Sequence, residues 1–180
     1  MGIRIELITD NPRSRLTRLR LEALLAQYDL SPFLFTCHIR IESGVIPHSH
    51  PVLTMNARHV ENPERLLMTF VHEQLHWFVE SLDPQKTGKA IAEIATLFPE
   101  VPEHQAGGGT DEGSTYLHLL IGVYEIESLR SLLGVSRASE LYSTIDVYPW
   151  VYRTVMDHEA SLKAIVAKHA LEFRPADMLD

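Results

Sequence analysis

The stretch "NPERLLMTFVHEQLHWFVES", residues 62–81, limits the possible folds more than any other part of the chain. Leu66, Leu67, Phe70, Val71, Leu75, Phe78 and Val79 recur at helical spacing, so this is a helix whose surface is mostly apolar and must be buried. Asn62 can cap it, Pro63 suits the first helical position, and Glu64 faces the positive end of the helix. It should stop near Asp83-Pro84. Set into the apolar run are His72, Glu73 and His76. At ~100° per residue, positions 72 and 76 fall on the same side of a helix, one turn apart. Two imidazoles on a core-facing stripe with no partner would be costly. The same spacing lets one helix give two nitrogen ligands to a tetrahedral Zn²⁺ at ~2.0–2.1 Å. Glu73, turned ~100° from His72, could lean over a zinc-activated water and take its proton. The competing reading is a pair of satisfied core histidines, and the buried setting argues for the metal.

The chain of 180 residues is long enough for one domain with a real core and short for two. Apolar residues make up 45 % and charged residues 22 %, as in an ordinary globular protein. A net charge of −8, with no basic cluster against it, excludes nucleic acid or an anionic membrane as the expected partner. Cys37 is the single cysteine, so no internal disulfide can form. The opening "MGIRIELITDNPRSRL" lacks the apolar core of a signal peptide, and Glu6 stands where a myristoylation signal wants Ser or Thr. No run approaches ~18 apolar residues, so no span is expected. The expectation is a cytoplasmic, single-domain protein.

Along the chain, "IRIELI" (3–8) alternates like a strand, and leucines at 16, 19, 21, 24 and 25 mark a helix from about Arg13 to Tyr28. "FLFTCHIRIE" and "PVLTMNAR" resemble two strands separated by the turn-rich "SGVIPHSHP". Further helices are expected over Thr87–Phe98, over Ser114–Leu133 with Gly134 as C-cap, near 137–142, and in one long piece from Pro149. Residues 99–113, with Gly107, Gly108 and Gly109, read as a mobile loop and a possible lid. The sum is α+β: a short mixed or antiparallel sheet packed against several helices.

"HEQLH", in an apolar helix entered from the strand "PVLTMNA", resembles the signature of the zincin superfamily of zinc metallopeptidases. The resemblance covers about 30 residues. It implies a zincin-like fold, Zn²⁺ as cofactor, and an edge strand in which Thr54, Met55 and Asn56 offer backbone hydrogen bonds to an extended peptide or unfolded-protein substrate. The glycine and third histidine that follow the motif in metzincins are absent, so a third ligand must come from elsewhere.

The helix "STYLHLLIGVYEIESLRSLLG" is apolar except for Ser114, His118, Gly122 and Glu125, which share one face. His118 and Glu125 lie ~10.5 Å apart along the axis at 1.5 Å per residue, so one ligand and one supporting residue is the natural scheme. "YEIES" is similar to the glutamate-bearing helix of gluzincins, which favours Glu125; His118 would give a three-histidine site, and both stay open. Gly122 would let the motif helix approach closely. Tyr148 and Tyr152 are candidate oxyanion donors of the kind zincins use, Tyr152 being preferred. Glu80 reads as a surface acid, "HSH" at 48–50 with His59 as a solvated loop rather than a second metal site, and Cys37 as a core residue. The function expected is a zinc-dependent hydrolase, a small metallopeptidase with Glu73 as general base. The alternative is an inactive zincin-like module that binds metal or peptide.

Overall fold

The computed structural model describes residues 2–103 and 107–173. Among them are three β-strands and seven α-helices, a mixed α+β composition. These residues form two compact units, 2–78 and 79–173.

The first unit contains β1 (Arg4–Leu7), α1 (Pro12–Gln27), β2 (His38–Ile41), β3 (Leu53–Met55) and most of α2 (Pro63–Ser81). Asn11 caps α1, its side-chain oxygen accepting from the Ser14 amide. Leu21 and Leu24 of that helix are buried, while Leu19 is exposed. The sheet order is β1-β2-β3 and both pairs are parallel, with Arg4 opposite His38 and Ile39 opposite Leu53. This corrects the expected mixed or antiparallel sheet, and the connections give the reason. Helix α1 is the crossover that lets β1 and β2 run the same way. The connection from β2 to β3, residues 42–52, is longer than a hairpin loop, which takes 2–5 residues. It turns at Gly44 (φ 83) and comes back beside β3, where His48 forms an isolated antiparallel bridge with Thr54. The antiparallel element exists, but it is one bridge in the returning chain. Ile39, Ile41, Leu53 and Met55 are buried; Cys37, ahead of β2, is only half-buried.

Helix α2 begins as the residues dictate: the Asn62 side chain accepts from the Arg65 amide at 3.1 Å. Leu66, Leu67, Phe70, Val71 and Leu75 are at most 1 % exposed, so the apolar faces are core.

The second unit is helical: α3 (Pro84–Leu97), α4 (Glu112–Leu133), α5 (Val135–Ser143), α6 (Pro149–Asp157) and α7 (Glu159–Lys168). Asp83 and Pro84, which close α2, also open α3, because the Asp83 carboxylate caps the Gln85 amide. Helix α4 is central, touching α3, α5, α6 and α7. Asp111 caps its start and Gly134 (φ 81) its end. The single long helix expected from Pro149 breaks at His158, whose backbone (φ −122, ψ 21) leaves the helical region. No helix among the described residues is long and apolar enough to cross a membrane.

Residues 104–106 of the expected lid lie outside the described residues. The three glycines beside them are buried; Gly107 has a positive φ of 104, and at Gly108 and Gly109 space is what requires glycine. A Cβ on Gly108 would stand 2.1 Å from the Pro102 carbonyl oxygen, and one on Gly109 2.8 Å from the Thr115 amide nitrogen. Glycine serves close backbone packing here, against the start of α4.

Candidate metal centre

Helix α2 carries the motif. His72 and His76 are half-buried on successive turns, and their Nε2 atoms lie 3.3 Å apart with the rings inclined at 73°. That separation is long for a hydrogen bond between imidazoles. Two nitrogens bound to one tetrahedral zinc at ~2.0–2.1 Å stand about 3.3 Å apart. Glu73, one position on, is buried at 6 % exposure.

The helix is held in rotation by two residues inside and beside the motif. Gln74 is fully buried, and its side-chain oxygen accepts from the amides of Phe35 (2.8 Å) and Thr36 (2.9 Å). Its amide nitrogen donates to the Thr36 carbonyl. Removing that side chain would strip the half-buried Phe35 and Thr36 backbone of three hydrogen bonds. On the flank after His76, the Trp77 indole donates to the Ser49 carbonyl at 2.9 Å and its ring stacks on His50 at 4.2 Å. Neither residue was singled out from the sequence. The signal for Gln74 was there, an amide in an apolar run where every other polar residue had a chemical reading.

On α4, His118 is half-buried, and its Nδ1 lies 2.6 Å from the carbonyl oxygen of Ser114 one turn back. A carbonyl only accepts, so Nδ1 carries the proton, and in the neutral ring the lone pair is then on Nε2. The Ser114 hydroxyl is a second neighbour of that nitrogen at 3.3 Å. The Tyr148 ring meets His118 edge-on, with centroids 5.1 Å apart. Glu125, two turns further on, is fully buried; its carboxylate accepts from the Tyr142 phenol at 3.5 Å. The same phenol donates to the Gly122 carbonyl at 3.1 Å. Burial first, and then the Glu125 carboxylate, hold Tyr142 well above the usual phenol range. The space left by Gly122 is filled by Val155, 2.7 Å from where a Cβ would be, and by the Tyr142 hydroxyl at 2.9 Å.

His72 and His76 belong to the first unit, and His118 and Glu125 to the second. Three neutral imidazoles would form a donor set that suits Zn²⁺.

The other predicted residues have different surroundings. Thr54 does not offer a free edge, because its amide and carbonyl are both bonded to His48, at 2.8 and 3.0 Å. The Met55 carbonyl accepts from Glu42 beyond the end of β2, and the Asn56 side chain donates to Val45. The substrate edge expected at Thr54, Met55 and Asn56 is therefore occupied by the chain itself, since residues 42–52 fold back over it. Tyr152 packs edge-on against Tyr142, with centroids at 4.7 Å. Glu80, His48 and His50 are exposed, and His59 is half-buried.

The chain matches no protein-family model, no curated protein and no solved structure.

Proposed function

We propose that this protein is a zinc-dependent hydrolase of zincin-like fold, a small cytoplasmic metallopeptidase acting on peptides or unfolded proteins. His72, His76 and His118 would hold the metal and Glu73 would be the general base. The observation that carries the reading is the 3.3 Å separation of the His72 and His76 Nε2 atoms, which is the spacing of two ligands on one tetrahedral ion.

Zinc, when bound, would polarise the scissile carbonyl and bring the pKa of a water into the neutral range. The chain's own residues supply the rest. Ser114 fixes the His118 tautomer, so that Nε2 is ready to ligate without losing a proton first. Gln74 and Trp77 keep the α2 imidazoles from rotating away. Glu73 takes a proton from the attacking water and passes it to the leaving nitrogen, the two halves of general acid–base catalysis. Its near-complete burial keeps that carboxylate short of competing water.

One observation favours the alternative, a zincin-like module that binds metal without cleaving peptides. The outward backbone groups of Thr54 are already satisfied by His48, so an extended substrate cannot pair there unless that bridge opens.

Metal analysis after reconstitution and desalting tests the ligand set: about one zinc per chain in the wild type and none in His72→Ala. Wild-type protein that takes up no zinc, or a His72→Ala variant that holds it equally, would overturn the reading. Chelator-sensitive cleavage of a peptide library, restored by zinc, separates the hydrolase from the inactive module.

A further inference from the structure

Tyr148 adopts a backbone conformation that L side chains rarely take, φ 52 and ψ 47, immediately before Pro149 opens α6. A non-glycine residue held in the left-handed region is strained, and the surrounding structure must enforce it. The following proline disfavours the helical region for its predecessor and pushes it toward extended backbone, so neither neighbour explains the choice. Glycine or asparagine would sit here with less strain. What the conformation achieves is visible in the side chain. The Tyr148 ring meets the His118 imidazole at 5.1 Å between centroids and 61° between planes. That imidazole is also tied through Nδ1 to Ser114.

We infer that Tyr148 is a positioning residue for the metal centre: its aromatic ring, rather than its hydroxyl, braces His118 so that Nε2 stays aimed at the ion. The inference rests on the three-histidine ligand set proposed above. The hydrogen bond at Nδ1 fixes one point of the imidazole, and packing against the ring limits its swing about that point. The Tyr148 ring supplies that packing in a T-shaped contact, an arrangement that aromatic rings prefer.

The test uses the full chain with cobalt(II) or zinc as the probe. Tyr148→Phe keeps the ring and should leave metal affinity, the cobalt visible spectrum and the rate of metal loss to a chelator within about twofold of wild type. Tyr148→Gly and Tyr148→Asn tolerate the backbone angle and lack the ring. Their metal-free forms should melt no lower than wild type, yet bind metal about 10–100-fold more weakly, with an altered cobalt spectrum. Wild-type affinity and spectrum in either variant would overturn the role given to Tyr148 while leaving the ligand set intact. Failure of wild-type protein to bind cobalt or zinc would instead overturn the ligand set, and this inference with it.

Discussion

The imidazole of His118 donates its Nδ1 proton to the carbonyl of Ser114, four residues earlier on the same helix. The tautomer is thereby chosen by backbone geometry, before any metal arrives. If His118 is the third ligand, His118→Ala should weaken zinc binding by more than the ~10–100-fold typical of losing an outer-shell partner. Glu125→Gln should keep one zinc per chain. Competition against a chromogenic chelator measures both, and the reverse ranking would make Glu125 the ligand.

Glu73→Gln preserves the shape of the side chain and removes its basicity. Zinc stoichiometry should be unchanged while peptide hydrolysis falls by about 10²–10⁴, the usual contribution of a general base. Turnover at the wild-type rate would exclude Glu73 from proton transfer.

Two glycines should respond to alanine in opposite directions. Gly88 lies exposed inside α3, and a Cβ added there would meet nothing within 4 Å, so Gly88→Ala should stabilise by ~0.5–1 kcal/mol through helix propensity. Gly108→Ala would drive a methyl to 2.1 Å from the Pro102 carbonyl oxygen and should cost ~1–3 kcal/mol or more. Thermal melts of the metal-free protein measure both shifts.

Acid should destabilise the helical unit through Glu159. The hydrogen bond from Arg130 is the main cause holding its carboxyl below the ordinary value of 4.5, and Lys163 adds to it. A carboxyl with a depressed folded-state pKa gives stability that is present above its unfolded value and lost as the pH falls through that value toward the folded one. Melting temperature should therefore drop as the pH goes from about 5 to about 3, starting from the carboxylate reference near 4.3. Glu159→Gln should melt lower at pH 7 and show a shallower acid slope over that range. A variant slope equal to wild type would show that the Arg130 pair contributes nothing measurable.

The sequence by itself determined what depends on neighbours a few residues apart. Helix α2 starts at the Asn62 cap and ends before Asp83-Pro84, because capping and proline geometry are local. The pairing of His72 with His76 follows from 3.6 residues per turn and needs nothing else. Helix α4 with its polar stripe, and its stop at Gly134, were legible for the same reason.

Tertiary structure decided whatever required distant segments to meet. Strand direction depends on where residues 42–52 lead the chain, and no alternation pattern records that; the result is a parallel sheet and a Thr54 edge already taken by His48. The space beside Gly122 went to Val155 and Tyr142, and the buried glycines at 108 and 109 answer to Pro102 and Thr115. Local periodicity places a side chain on a face, but packing alone determines what that face meets.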